Sequence, residues 1–417
     1  MRYTRIIVLT TLAVAASVSS CGNDDAAETS NPGTNDGSTT APTTNRERDL
    51  ASFAGPLQEA VDRDITGDSR NVAEIVLVRA GASELTAASG VADPPSGDTD
   101  PPSGVAIDTT MSFRIASVTK TFVAAATLRL VEDGRFTMDA AIDALLSDAL
   151  TTTLVNGGYR PDLITVRHLL THTGGILDFT FGPGIDYVGQ IVAAPQREWS
   201  RQDQIDLAMT GQPVGAPGQT YHYSDTGYGL LGAIIEQATG QNLGASLRSL
   251  LAFDRLGLDH TYLELIEPTP VDQPPRVHQF FGELDTFDWS PTIDLYGGGG
   301  LVSTLDDLAM FFRALHRGQV FTDPSTLELM HEVPATNADV RVPGDPTAYG
   351  AAAGLFRSEI GGATCWSHEG FWGVRVAYCP DLDAGFALSI SQAIRGEAYD
   401  PALVGGVIVE AMTSGAE

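Results

Sequence analysis

Strand-like patterns occur at both ends of this chain, and a long stretch between them is helical. Residues 72–79 and 84–91 form one pair of strand patterns near the N-terminus. Three more follow near the C-terminus, at 364–367, 374–378 and 385–390. Residues 138 to about 290 contain mostly helical fragments and loops. This arrangement predicts an α/β (α+β) domain over 50–417, in which a sheet from both ends is flanked by helices and interrupted by an all-helical insertion.

The N-terminus has the features of an export signal. Arginines precede an apolar run over residues 6–16, and the sequence Val-Ser-Ser-Cys ends at Cys21. The pattern resembles a bacterial lipoprotein signal, so we predict a signal peptide over 1–21, cleavage before Cys21 and a lipid on its sulfur. A plain secretory signal with an incidental cysteine is the alternative. Residues 22–49 are small and polar without periodicity, which predicts a disordered tether. The domain would then lie at the bacterial cell membrane, facing outside the cytoplasm, or be secreted or periplasmic.

The charge of the chain limits its partners. The formal net charge is −29, which argues against nucleic acid as a partner. Lys120 is the only lysine among 24 lysine and arginine residues. Because an ammonium can lose a proton near neutral pH and a guanidinium cannot, this position is a candidate for proton transfer.

Ser117 precedes Lys120 by three positions, at the start of a helical pattern. Side chains at this spacing share one face of a helix, so the hydroxyl and the amine can meet. A serine becomes a nucleophile when a neighbouring base takes its proton, and a buried amine can be that base. The pattern Ser-x-x-Lys is common by chance, and a pair of surface residues is the alternative.

Two further motifs follow in a defined order, Tyr-Ser-Asp at 223–225 and His-Glu-Gly at 368–370. With Ser117-x-x-Lys120, they resemble the motifs Ser-x-x-Lys, Tyr-x-Asn and Lys/His-x-Gly of the serine β-lactamase and D-alanyl-D-alanine carboxypeptidase family. The class C branch, with family VIII-type carboxylesterases and D-aminopeptidases, is the most similar. Accessory stretches at 169–175 and 299–304 also resemble this family.

The resemblance implies a β-lactamase/transpeptidase-like fold with an antiparallel sheet, and it implies roles for several residues. Ser117 would be the acylated nucleophile, and Lys120 and Tyr223 would share the proton transfers, with Tyr223 favoured as the base. The N–H groups of Ser117 and Phe371 would stabilise the oxyanion. His368 and Gly370 would line the substrate site, and no cofactor or metal is expected.

Two residues depart from the family pattern. Asp225 replaces the usual asparagine, and a carboxylate beside Lys120 would keep the ammonium charged and shift the base role toward Tyr223. Glu369 follows His368 where members that bind β-lactams often have Lys-Thr. Repulsion by both carboxylates predicts a neutral or cationic ester or amide as substrate. The alternatives are that Asp225 only caps the helix beginning at Thr226, and that Glu369 points away from the site.

Cys365 and Cys379 flank a predicted hairpin with its turn near Trp372-Gly373. A hairpin centred there places the two cysteines opposite each other, which predicts a disulfide in an oxidising compartment. Two buried free thiols are the alternative. His168 and His172 are four positions apart, but no acidic ligand follows at a suitable spacing, so we expect no metal there.

These observations predict a serine hydrolase that works through an acyl-enzyme on Ser117, as a peptidase, amidase or esterase. Its substrate would be a small acyl compound or a cell-wall peptide, and loops around 179–195 and 268–288 would shape the specificity. The alternative is a non-catalytic, penicillin-binding-like lipoprotein in which Asp225 and Glu369 mark a decayed site. A lipid anchor in the membrane and no nucleic-acid partner are expected in either case.

Overall fold

The N-terminal and C-terminal strands pair in the middle of one sheet. The computed structural model describes residues 48–67, 71–93, 104–342, 345–394 and 401–415. The predicted signal peptide with Cys21, and nearly all of the predicted tether, lie outside these ranges. The strands are β1 (Ala73–Ala80), β2 (Ser83–Asp93), β3 (Val105–Ala106), β4 (Phe113–Arg114), β5 (Tyr262–Leu263), β6 (Phe280–Phe281), β7 (Leu284–Asp285), β8 (Leu301–Ser303), β9 (Arg341–Val342), β10 (Asp345–Ala351), β11 (Phe356–Ile360), β12 (Ala363–Gly370), β13 (Val374–Cys379) and β14 (Ala384–Ile390).

Helices cover both faces of this sheet and fill the middle of the chain. They are α1 (Ala54–Gly67), α2 (Thr119–Glu132), α3 (Asp148–Asn156), α4 (Val166–Leu170), α5 (Tyr187–Ala193), α6 (Arg201–Ala208), α7 (Asp225–Thr239), α8 (Leu243–Leu250), α9 (Phe253–Leu256), α10 (Leu305–His316), α11 (Pro324–His331) and α12 (Pro401–Thr413). A short 3-10 turn, Ala116–Val118, precedes α2.

The main sheet has nine antiparallel strands in the order β3-β2-β1-β14-β13-β12-β11-β10-β9. Strand β1 is buried on both faces, because successive side chains point to opposite sides of a strand. Ile75 and Leu77 pack in the large core with α2, α7 and α10. Val76 and Val78 pack in a second core with α1 and α12. Burial on both sides explains the continuous apolar sequence of β1, and the predicted antiparallel sheet from both chain ends is confirmed.

The insertion is not all-helical, and this part of the prediction was wrong. Between residues 138 and 290 the structure places helices α3 to α9 together with the short strands β5, β6 and β7. Strand β5 pairs with β8 in a three-stranded sheet of order β4-β8-β5. Two-residue strands are too short to produce a period-2 pattern in the sequence. Strand β5 pairs with the distant β8, whereas β6 and β7 pair with each other.

Hydroxyl side chains cap the two helices that begin beside the site. The side chain of Ser224, not Asp225, accepts the Gly227 N–H and caps α7. The side chain of Thr304 accepts the Asp307 N–H and caps α10. In both cases a Ser or Thr stands at the last extended residue, where its hydroxyl reaches the third residue of the helix. Asp225 is therefore the first helical residue and its carboxylate is available for another contact.

Candidate active site

Ser117 lies in the 3-10 turn that joins β4 to α2. The preceding residue, Ala116, has φ +44°, in the left-handed region that residues other than glycine rarely adopt. Such backbone strain clusters at functional sites. Ser117 remains partly accessible to solvent, whereas Lys120 one turn later is completely buried. Lys120 Nζ lies 3.0 Å from Ser117 Oγ, so the hydroxyl and the amine meet as the sequence spacing predicts.

The Lys120 ammonium has three acceptors around it. Besides Ser117 Oγ, Nζ donates to the carbonyl oxygen of Gly298 at 2.5 Å and forms an ion pair with the carboxylate of Asp225. Gly298 belongs to the glycine run before β8, and a Cβ at this position would lie 2.9 Å from Asp225 Oδ1. A glycine is therefore required for this close approach. Three acceptors match the three N–H groups of an ammonium.

Tyr223 shares the pocket with Lys120. Lys120 Nζ lies 5.0 Å from the centre of its ring, and the Ser117 hydroxyl is near enough to act on the pKa of its phenol. Burial, followed by the negative charge of Asp225, raises the pKa of Tyr223 well above its ordinary value. The structure therefore brings Ser117, Lys120 and Tyr223 together, but it surrounds Tyr223 with conditions that keep the phenol protonated.

His172 supports Tyr223, a role that the sequence did not indicate. The two rings stack with centroids 4.4 Å apart, and His172 Nδ1 accepts the N–H of Ser224 at 3.1 Å. Burial, followed by the charge of Lys120, lowers the pKa of His172 well below its ordinary value, so the ring is neutral. His172 has φ +56° and lies beyond the end of α4. His172 therefore does not share a helix with His168, whose side chain accepts the Thr165 N–H in the capping box of α4.

Asp178 lies beneath Asp225. Its Oδ1 accepts the Asp225 N–H at 2.9 Å and its Oδ2 accepts the Phe181 N–H at 2.8 Å. Thr180 Oγ1 in turn donates to Asp225 Oδ2 at 2.9 Å. Burial, followed by the charge of Asp225, raises the pKa of Asp178 to about 7.

Asp294 is the third carboxyl group near Lys120. It precedes the glycine run, and its Oδ2 would lie 2.2 Å from a Cβ placed on Gly299. Burial raises the pKa of Asp294 to about 7, with the Arg114 charge acting in the opposite direction and the Asp225 charge in the same direction. Neither Asp178 nor Asp294 was recognised in the sequence, because both are remote from the three motifs and only folding brings them to Lys120.

Strand β12 brings His368 and Gly370 to the same site. Burial, followed by the Lys120 charge, lowers the pKa of His368 to about 3, so this ring is neutral. A Cβ on Gly370 would lie 2.2 Å from the carbonyl oxygen of Ile115, which requires glycine where β12 approaches the turn that holds Ser117. Phe371 directly follows Gly370, so its segment lies beside the Ser117 turn. The role of its N–H group as an oxyanion donor remains a prediction.

Glu369 lies on the opposite face of β12. It pairs in register with Arg375 of β13, and the two side chains form an ion pair at 2.7 Å. Cys365, four positions earlier and therefore on the same face of the strand, packs with α1 and α12, whereas Trp366 packs in the core that contains α2. Because side chains alternate along a strand, Glu369 points away from Ser117. The prediction that its charge acts on the substrate was wrong, since the strand period directs it to the other face.

Cys365 and Cys379 form a disulfide across β12 and β13, as predicted. Among the residues that the structure describes, no three His, Cys, Asp or Glu side chains are placed to hold a metal ion. None of the helices in the described ranges has the length and apolar composition needed to cross a bilayer.

Curated proteins match parts of this chain in sequence. Esterase EstB from Burkholderia gladioli is 32% identical over 207 residues, which are 49% of this chain and 50% of the esterase. Penicillin-binding protein 4 from Amycolatopsis lactamdurans is 33% identical over 166 residues, 39% of each chain. The chain thus spans about half or less of the length of these curated relatives.

Solved structures agree on the fold. A D-stereospecific amidohydrolase from Streptomyces sp. superimposes with a TM-score of 0.68 at 23% identity, covering 87% of this chain and 99% of its own. The D-amino acid amidase from Ochrobactrum anthropi SV3 gives a TM-score of 0.69 at 22% identity, covering 87% and 98%. The family model named Beta-lactamase matches residues 57–405. With its motifs, its sheet and this match, the chain belongs to the beta-lactamase family.

Proposed function

We propose that this chain is a serine hydrolase. An ester or amide substrate acylates Ser117, and water then hydrolyses the acyl-enzyme to restore the free serine. One observation carries the proposal: the amine of Lys120 lies 3.0 Å from Ser117 Oγ, and the ring of Tyr223 lies beside the same amine, with its centre 5.0 Å from Nζ. A hydroxyl held between two groups that can move protons is the arrangement that nucleophilic catalysis needs.

The chemical steps follow from this arrangement. Ser117 Oγ attacks the substrate carbonyl as its proton leaves, and the developing oxyanion is stabilised by the N–H groups of Ser117 and Phe371. The intermediate collapses when the proton taken from Ser117 passes to the leaving group, and Lys120 and Tyr223 are the neighbouring side chains that can carry this proton. Water then attacks the acyl-enzyme by the reverse sequence of proton transfers.

The charge of the pocket supports a neutral or cationic substrate. Asp225 pairs with the Lys120 ammonium, Asp294 lies near the same ammonium, and Asp178 contacts Asp225. One ionised carboxylate already balances the ammonium, and a second makes the pocket negative. A substrate carboxylate, as in penicillin, would be repelled there. This explanation replaces the one based on Glu369.

A row of phenyl rings supports an apolar group on the substrate. Phe371 lies between Phe181 and Phe281, with ring centroids 5.9 Å apart on each side. Phe181 is 62% exposed and Phe371 is 37% exposed. Phe371 follows the Gly370 contact beside the Ser117 turn, and Phe181 follows Thr180, which bonds to Asp225. Exposed aromatic rings at the edge of a polar pocket favour an aryl or alkyl substituent.

Two features support a location outside the cytoplasm at a membrane. The N-terminal segment ending at Cys21 resembles a lipoprotein signal, and the disulfide between Cys365 and Cys379 is typical of oxidising compartments. In a bacterial host, the full chain should fractionate with membranes, and Cys21→Ala should release it. Membrane association that survives Cys21→Ala would contradict the lipid anchor.

The central experiment uses the chain without residues 1–21 and a fluorescent fluorophosphonate probe. Labelling of the wild type that is lost in Ser117→Ala, with an unchanged circular dichroism spectrum, supports the enzyme. No labelling of either protein supports the non-catalytic alternative.

A substrate panel then tests the class of substrate. Turnover of p-nitrophenyl phenylacetate and of D-phenylalanine amide should exceed turnover of a chromogenic cephalosporin, which carries a carboxylate. Preference for the cephalosporin would reject the charge argument, and an equal loss of activity for acetate and phenylacetate esters in Phe371→Ala would reject the aromatic site.

A further inference from the structure

The resting state of this site lacks a free base. If Lys120 is an ammonium, its three N–H groups are directed to Ser117 Oγ, Gly298 O and Asp225, so Nζ has no lone pair for the serine proton. The amine becomes a base only after one of these acceptors takes a proton. Of the three, only the carboxylate can hold a proton as a stable neutral group.

Tyr223 does not fill this role in the resting state. An ammonium alone would favour the phenolate form of a neighbouring tyrosine, but here Asp225 offsets the Lys120 charge. Burial and Asp225 both raise the pKa of Tyr223. The carboxylate at the position where the family pattern has an amide thus removes the charge that would ionise the phenol.

We propose that Asp225 is the proton acceptor that converts Lys120 to a free amine, so that the serine proton leaves along a Ser117–Lys120–Asp225 path. The Lys120 Nζ–H bond breaks and its proton joins Asp225 Oδ1. The freed lone pair takes the Ser117 Oγ proton while Oγ forms its bond to the substrate carbonyl carbon. Lys120 is again an ammonium, Asp225 is neutral, and the proton returns to the leaving group when the intermediate collapses. This inference rests on the proposed hydrolase function.

The contacts of Asp225 fit this role. Thr180 Oγ1 donates to Oδ2 and fixes the carboxylate. Oδ1 faces Lys120 and has no other hydrogen bond among the described residues. The charged and titratable groups around it are Lys120 on α2, Tyr223 before α7, Asp178 beneath it and Asp294 beside the glycine run. A proton on Asp225 relieves repulsion among the three carboxyls, which favours the transfer.

The test compares Asp225→Asn with the wild type, using acylation by p-nitrophenyl phenylacetate. Asparagine keeps the size and an oxygen acceptor for Nζ but cannot hold the proton. We expect the acylation rate to fall about 10²- to 10⁴-fold with little change in KM. Because the Lys120 charge is then uncompensated, the base role passes to Tyr223, and Tyr223→Phe should be at least about tenfold more harmful in the Asp225→Asn protein than in the wild type.

If Asp225 had only a structural role, neither the acylation rate nor the penalty of Tyr223→Phe would change in this way. An acylation rate in Asp225→Asn within about threefold of wild type, or equal Tyr223→Phe penalties in both backgrounds, would overturn the proposal. If Asp225→Asn does not fold, acylation of the wild type in mixtures of H₂O and D₂O decides the question: two protons in flight predict a curved dependence on deuterium fraction, and a straight line rejects it. Failure of the wild type to acylate at all would instead reject the hydrolase function.

Discussion

Two buried ion pairs flank the nucleophile, and they differ in what their cations can do. Arg114 precedes Ser117 and donates from Nε and Nη2 to Glu264, at 2.7 and 3.2 Å. Its Nη1 and Nη2 also donate to the carbonyl oxygens of Thr286 and Trp289. Lys120 follows Ser117 and pairs with Asp225. Both cations are almost completely buried.

This difference between the cations separates an ion pair that supports the structure from one that can take part in a reaction. A guanidinium cannot lose its proton, and its planar group matches a carboxylate with two parallel hydrogen bonds. The Arg114–Glu264 pair therefore fixes the segment after β5 against β4, and the contacts to Thr286 and Trp289 fix the loop after β7. Through β4, both sets of contacts fix the entry to the Ser117 turn. An ammonium can exchange a proton with its partner, so the Lys120–Asp225 pair can change state during a reaction. The two ion pairs are similarly buried but differ in role. The Arg114–Glu264 pair supports the structure on one side of Ser117, and the Lys120–Asp225 pair provides a proton path on the other.

Lys120→Met should have the largest effect on this comparison. Methionine fills the volume but carries no proton, so kcat for an ester should fall by about 10³-fold or more. The double variant Lys120→Met/Asp225→Asn removes the unpaired carboxylate and serves as the folding control. Activity within tenfold of wild type in a folded variant would show that Lys120 is not part of the proton path.

Arg114→Lys should lower the stability of the protein and leave its activity nearly unchanged. It keeps the charge but loses the paired geometry and the contacts to Thr286 and Trp289, which should lower the free energy of unfolding by about 2–3 kcal/mol. Urea unfolding monitored by circular dichroism measures this loss. The kcat of the folded protein should stay within about threefold of wild type, and a loss like that of Lys120→Met would erase the distinction between the two pairs.

Asp294→Asn should change the pH dependence of stability. Because the pKa of Asp294 is raised from 3.8 to about 7 in the folded state, the folded protein binds a proton that the unfolded chain has lost between these values. Its contribution to stability is therefore present below about pH 4 and is lost as the pH rises through 7. The variant should lose less stability than the wild type between pH 5 and pH 8, measured as Tm.

The matched control is Asp162→Asn. Asp162 is exposed, and its pKa is lowered through its bond with Arg160, so the substitution should leave the slope between pH 5 and pH 8 unchanged. If the Tm of Asp294→Asn and that of the wild type changed with pH in parallel, Asp294 would not be a group that binds a proton near Lys120 in the folded state.

Glu369→Gln should have the smallest effect. The carboxylate pairs with Arg375 on the far side of β12, and partly exposed pairs contribute about 0–1 kcal/mol. The ratio of kcat/KM for substrates with and without a carboxylate should change by less than about twofold. A clear gain for the carboxylate-bearing substrate would restore the sequence-based role of Glu369.

The three motifs and the general fold could be predicted because they depend on local patterns. Short runs of apolar, β-branched residues marked β1 and the C-terminal strands, and the Ser117–Lys120 spacing predicted a contact within one helical turn. The hairpin between Cys365 and Cys379 could be predicted for the same reason, since its partners are close in sequence. In each case the interacting groups lie within one element or its immediate neighbour.

Two carboxyl groups of the site, Asp178 and Asp294, could not be predicted in this way. They come from segments separate from Asp225, and the mutual effect of the three depends on distance and burial, which appear only after folding. The same holds for Glu369, whose motif position suggested the site while the pleat of β12 directs it elsewhere.

By itself, the sequence determined which chemical groups are present, their spacing within each element and hence the family. The tertiary structure decided which charges stand next to Lys120 and which lie across the sheet. The physical reason is that periodicity is a property of neighbouring residues, whereas a proton path depends on the electrostatic field of groups that are remote in the chain.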